Sequence, residues 1–153
     1  MKIFTISMLI CILIVPISIL YAGDSLSVVD AWVLEAPPGM KVMAAYMTLK
    51  NNSENVHELK GVSSPQFERV EMHRTIIENE QAHMVKQDSM TVNVGEALKF
   101  EPGGSHLMLI NPKKILKSGD EIDLSLILEN GKKLNIKAHV RKHSEMNSME
   151  NHH

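Results

Sequence analysis

The sequence predicts an all-β fold, a sandwich or barrel of one domain, and three observations predict it. Apolar and polar residues alternate at the period of two that puts every second side chain on one face of a strand. The alternating runs are short and end at Pro, Gly or Asn breakers. No stretch between them carries the apolar repeat of an amphipathic helix. Size and composition agree, since 153 residues, 44% hydrophobic and 22% charged, make one domain with a core and exclude a wholly disordered chain.

The first 22 residues stand apart from that domain. Lys2 leads into an uncharged apolar run over 3–20, and polarity returns at Gly23-Asp24 after Tyr21-Ala22. This is the pattern of a secretory signal peptide cleaved after Ala22. An uncleaved anchor is the alternative, because about 18 apolar residues nearly suffice to span a bilayer; Pro16 and the small Ala22 favour cleavage. Cys11 lies inside the run behind Leu9-Ile10, not behind a small residue, and is not read as a lipid-attachment site. Cleavage would leave a chain without thiols and with a formal charge of about −3. Such a chain is no disulfide exchanger, thiolate zinc protein or blue-copper carrier. It also lacks the basic face that a nucleic-acid partner demands.

The expected strands follow in order. The first, 27–34, stops before Pro37-Pro38-Gly39, and 42–50 carries the chain to the Asn51-Asn52-Ser53 turn, which also matches a glycosylation sequon. Next come 56–62, closed by Pro65, and a pair, 67–77 and 82–87. The short run 98–100 ends at Pro102-Gly103-Gly104, and 105–111 at Asn111-Pro112. After Ser118-Gly119-Asp120, strands 121–129 and 133–141 alternate most regularly: Ile122, Leu124, Leu126 and Leu128 form one apolar set, and Leu134, Ile136, Ala138 and Val140 the other. Setting Leu128 opposite Leu134 places both sets on one side, with Asn130-Gly131-Lys132 as a three-residue loop and Gly131 in the left-handed position.

Methionine and histidine, 11 and 8 residues, are the compositional oddity. In 67–77 the apolar side holds Val70, Met72 and Ile76, which turns Glu71, His73 and Thr75 outward. In 82–87 Val85 is the core candidate, so Met84 faces out. In 105–111 Leu107 and Leu109 point inward, and His106 and Met108 share the outer face. If Glu78-Asn79 is a two-residue turn, His73 lies directly opposite Met84, with Cβ atoms about 4.5–5.5 Å apart; His106 and Met108 then close a site from a neighbouring strand. Two imidazoles and two thioethers without a thiolate suit Cu(I) far better than zinc or calcium.

The spacing of His73, Met84, His106 and Met108, with ten, twenty-one and one residues between them, resembles the copper-binding signature of the periplasmic PCu(A)C copper chaperones. Chance placement of those four residue types is about 0.002, so the spacing is specific before its surroundings count. The surroundings agree: Val70-Glu71-Met72-His73 and the segment from Pro102 to Leu109 look like the family's ligand segments, and Pro38-Gly39 through Ala44-Ala45-Tyr46 like its early stretch. The resemblance covers about 25–141. It implies a cupredoxin-like Greek-key β-sandwich over 23–141 that binds Cu(I) through these four residues in the periplasm. It further implies delivery of Cu(I) for assembly of the CuA centre of cytochrome oxidase, to the CuA subunit or a Sco-type protein.

The other methionines and histidines have plainer readings. Met40, Met43, Met47, Met72 and Met90 are expected in the core, and His57, His83 and His139 solvated or hydrogen-bonded. Trp32 is expected to be buried, with a cap over the copper site as the alternative. The tail, 142–153, holds His143, Met146, Met149, His152 and His153 among polar residues and is expected to be disordered without metal. Its imidazoles make it a candidate secondary site for Cu(II), against a plain solubilising end. The reading for the whole is a monomeric chaperone with no catalytic residue, touching a membrane only through an uncleaved signal segment. Copper buffering or detoxification is the alternative, and a mononuclear copper oxidase the weaker one, since an oxidase needs an open position for oxygen.

Overall fold

The computed structural model describes residues 26–144. Ten strands follow one another: β1 (Leu26–Leu34), β2 (Val42–Asn51), β3 (His57–Ser63), β4 (Phe67–Glu78), β5 (Gln81–Gln87), β6 (Met90–Val92), β7 (Ala97–Phe100), β8 (Ser105–Pro112), β9 (Glu121–Leu128) and β10 (Lys133–Arg141). They form one continuous sheet in the order β5-β4-β8-β7-β2-β1-β10-β9-β3-β6, with β2 also pairing with β8. The sheet folds over until β3 meets β4 and β6 meets β2 and β7, so its inner faces enclose one core. All pairings are antiparallel except β1 with β10 and a single β7–β8 bridge.

The core is the period of two made physical. Met43, Ala45, Met47 and Leu49 of β2 pack with Leu107 and Leu109 of β8, Met72 of β4, and Ile122, Leu124 and Leu126 of β9. The strand missing from the sequence reading, β6, is three residues long, too short to display alternation, yet it buries Met90 and Val92. The β9–β10 hairpin keeps both apolar sets on one side, but Leu134 pairs with Leu126, not Leu128. The three-residue loop is therefore Glu129-Asn130-Gly131, closed by the Gly131 N–H on the Leu128 carbonyl at 2.9 Å, with Gly131 left-handed at φ 77°.

The β4–β5 hairpin departs further from expectation. Its two turn residues are Asn79 and Glu80, at φ 51° and 63°, so Glu78 pairs with Gln81 and Met84 sits opposite Thr75. Two left-handed residues make the primed turn that matches strand twist, even though neither is glycine. Because β5 is the sheet edge and has only β4 beside it, Val85 is exposed, not in the core. Met40, expected in the core, is also exposed, on the β1–β2 loop. The sequon's Asn51 is buried, and its amide donates to the Asn55 and Val92 carbonyls, so its nitrogen already serves the fold.

Candidate metal centre

The outer face of β4 and β8 brings two histidines into direct register. His73 pairs with His106, and their rings stack with centroids 5.9 Å apart and planes at 27°. The chain reaches this geometry through the Pro102-Gly103-Gly104 turn, where Gly103 is left-handed at φ 79° and the Gly104 N–H bonds the Glu101 carbonyl at 3.0 Å. The Gly104 carbonyl then accepts both the Thr75 N–H at 3.2 Å and the His106 Nδ1–H at 3.2 Å. That bond fixes the ring and directs the lone pair of Nε2 away from the backbone.

His73 is fixed from the other end. Its Nε2–H donates to the Glu71 carboxylate at 3.0 Å, which leaves Nδ1 buried and without a hydrogen-bond partner. Burying such a nitrogen unpaired is costly, and a bound water or ion would offset that cost. Glu71 is itself held by Arg69 at 3.1 Å and Lys86 at 3.5 Å. The His73 hydrogen bond first, the Arg69 bond second and the charge of Lys86 bring its carboxyl down to about 2, so it is an anion that orients the ring.

Two methionines share this strand face with the pair. Met108 follows His106 on the same face and stands between Glu71 of β4 and Ala44 of β2, whose small side chain leaves room beside it. Met84 reaches the face from Thr75's position, one diagonal step from His73 instead of directly opposite. His106, Met84 and Met108 line a cavity of about 480 Å³ with Met40, Thr75 and Tyr46. Among the described residues no three His, Cys, Asp or Glu side chains converge on a point that would hold a metal.

The face is more covered than strand alternation predicts. His106 is 6% exposed and the His73 side chain 12%, whereas Met84 is 65% exposed. On the far side of β2, β1 carries a bulge. Asp30, left-handed at φ 49°, shifts the β1–β2 register so that Trp32 falls opposite Tyr46, their ring centroids 4.5 Å apart. Arg141 lies over the Trp32 ring at 5.8 Å and pairs with Asp30 at 2.7 Å. Trp32 is thus buried, as expected, but outside the main core, behind the cavity wall that Tyr46 forms; burial raises the Tyr46 phenol's pKa.

The remaining histidines sit elsewhere. His57 is buried, 3.0 Å from the Ser53 hydroxyl and 3.4 Å from Glu129. His83 pairs with Ile76, on the opposite strand face from Met84, and His139 lies 3.9 Å from Glu121 on β9. His143 is exposed, and Met146, Met149, His152 and His153 lie outside the described residues, as does the leader 1–22. Met40 is the residue the sequence reading missed, and the adjoining Pro38-Gly39 turn, which carries it away from the core, was the signal for it.

Comparison with known proteins places the chain. The LpqE-like family model matches residues 26–140. Two curated relatives are "Putative lipoprotein Lxx21020" of Leifsonia xyli, 31% identical over 71% of this chain, and "Uncharacterized protein RP573" of Rickettsia prowazekii, 33% identical over 56%. The matches span 65% and 48% of those proteins' own lengths. Among solved structures, the Cu(I) form of DR1885 from Deinococcus radiodurans is 31% identical, with a TM-score of 0.58 over 74% of this chain and 76% of that one. The copper-bound PCuAC domain of PmoF2 shares the fold, with a TM-score of 0.66 and 23% identity over 80% of this chain and 97% of that domain. The chain belongs to the LpqE-like family, and its all-β fold is that of the PCuAC domains.

Proposed function

We propose that the protein is a copper chaperone acting outside the cytoplasm, binding one Cu(I) through His73, His106, Met84 and Met108. The observation that carries this reading is the stacked His73–His106 pair. Glu71 and the Gly104 carbonyl have each taken one ring nitrogen, and the buried Nδ1 of His73 has no protein partner. Neutral thioethers complete the set, and two nitrogens with two sulfurs stabilise the monovalent ion over Cu(II). The likeness to the Cu(I) form of DR1885 supports the choice of metal, and a family of lipoprotein-type relatives supports export.

The arrangement suits carriage better than catalysis. The imidazoles hold the ion from a rigid floor, while the exposed Met84 thioether can let go of it without disturbing the sheet. We assign residues 1–22 to a removed signal peptide, the periplasm as the location, and the CuA subunit of cytochrome oxidase or a Sco-type protein as the recipient of a monomeric carrier. The tail histidines and methionines would form a secondary Cu(II) site.

The test is metal transfer. Cu(I)-loaded protein mixed with an apo CuA domain should generate the absorption of the assembled centre, and a Met84→Ala, Met108→Ala double variant should lose 1:1 Cu(I) binding. Full-strength binding by that double variant would sink the ligand assignment. Binding without transfer, and growth loss only under excess copper, would point to buffering instead.

A further inference from the structure

We propose that Met40 is a third sulfur ligand, through which Cu(I) passes on entering and leaving the site. The proposal rests on the Cu(I) reading above and adds a residue and a step to it. Met40 closes the turn Pro37-Pro38-Gly39-Met40, its N–H bonding the Pro37 carbonyl at 3.1 Å with Gly39 left-handed at φ 85°. This is a type II turn, with proline and glycine at the positions that favour each. The loop is pinned on both sides: the Glu35 N–H bonds the Arg141 carbonyl at 2.9 Å, and the Lys41 carbonyl accepts the Asn111 N–H at 2.8 Å. A fixed backbone therefore carries a long side chain with three rotatable bonds, 58% exposed, while Met43 three residues later is 3% exposed in the core.

Placement gives that side chain its role. Two cavities meet at this loop. One, about 480 Å³, holds Met84, Met108 and His106; the other, about 710 Å³, opens beside Ile115 and is edged by Lys41, Lys113, Lys114 and Lys117. Glu35, Ala36, Pro37, Met40 and Met43 line both. Of these, only the methionines offer a soft donor, Met43 is packed in the core, and Glu35 already accepts the Ser118 N–H at 3.0 Å. Met40 is thus the one shared thioether free to move between the two spaces.

The chemistry is ligand exchange with no change of oxidation state. As the Met40 sulfur bonds Cu(I), the bond from the Met84 sulfur breaks; the ion keeps its +1 charge, and no proton moves. A closed-shell ion without geometric preference accepts the extra ligand readily, and a ligand already tethered at the mouth replaces a bimolecular step by an intramolecular one. Met40 is then a ligand of the exchange step and not of the resting site.

The experiment compares wild type with Met40→Leu, which keeps size and apolarity but removes sulfur. Both are loaded with Cu(I) and mixed with excess bicinchoninate, and the coloured chelate is followed by stopped flow. We expect both to bind one Cu(I), and the variant to release it about tenfold more slowly. In protein labelled with ¹³C at the methionine methyls, titration with Ag(I) should move Met84 and Met108 through to saturation and move Met40 only transiently, at partial occupancy, while Met43, Met47, Met72 and Met90 stay still. Equal release rates with an unmoved Met40 methyl would overturn the proposal, and so would loss of 1:1 binding in the variant, which would make Met40 a resident ligand. Wild type that binds no Cu(I) would bring down the carrier reading itself, a result distinct from either.

Discussion

The two halves of the candidate site are built differently. The imidazole half rests on β4 and β8, interior strands of the sheet whose other faces bury Met72, Leu107 and Leu109, and every ring has a hydrogen bond that sets its angle. The thioether half is dispersed: Met108 is on the floor, Met84 is on the exposed edge strand β5, and Met40 is on a loop. Placing rigidity under the nitrogens and freedom around the sulfurs would let one site hold an ion and still give it up. A bound ion would draw the exposed Met84 sulfur onto a floor that exists without it.

That contrast predicts unequal costs. His106→Ala removes a preorganised ligand and leaves a buried gap, so Cu(I) affinity in chelator competition should fall by at least about 100-fold, whereas Met84→Ala should cost about tenfold. Equal losses, or the reverse order, would mean that the thioether half holds the ion and the imidazoles only frame it. Circular dichroism of both apo variants should remain that of a β-protein, because neither side chain belongs to the main core.

How far the sequence revealed this site divides along the same line. The faces of β4 and β8 follow from Val70, Met72, Leu107 and Leu109, so the outward placement of His73, His106 and Met108 was legible. Strand pairing was not, because a face says nothing about the neighbour. The sequence reading set Met84 against His73, while the structure sets His106 there and Met84 beside Thr75. The cause is local: the turn takes Asn79 and Glu80 in left-handed conformations, and a glutamate there carries none of glycine's signal. The edge position of β5 was equally invisible, so Val85 read as core on apolarity alone. The packing of Trp32 on Tyr46 depends on the bulge at Asp30, a one-residue register shift that composition does not record.

Oxidation separates the exposed sulfurs from the buried ones. Hydrogen peroxide converts accessible thioethers to sulfoxides. In apo protein, peptide mass spectrometry should therefore find Met40 and Met84 oxidised well before Met43, Met47, Met72 and Met90, which are buried. Saturation with Ag(I), which resembles Cu(I) but does not cycle, should protect Met84 and Met108. Protection of the core methionines instead would show that metal binding rebuilds the fold, contrary to a preformed floor.

The anchor of the imidazole half is a carboxylate, and its titration reads out how firmly the ring is held. Glu71 has a carboxyl lowered from the ordinary 4.5 to about 2, chiefly by the His73 hydrogen bond. Because the folded value lies below the unfolded one, the folded state binds the proton less readily. The contribution of Glu71 to stability is then complete above about pH 4.5, declines as pH falls from there towards 2, and is gone below it. In apo protein the thermal midpoint should drop across that interval, and Glu71→Gln, which cannot titrate, should flatten the part of the drop that Glu71 contributes. The change should be modest, because Arg69 and Lys86, which share the Glu71 carboxylate, are more than half exposed and water screens their charges. Superimposable pH profiles for the two proteins would mean that the His73 ring is held by packing alone. In that case the stacked pair owes its order to β4 and β8 and not to the carboxylate beside it.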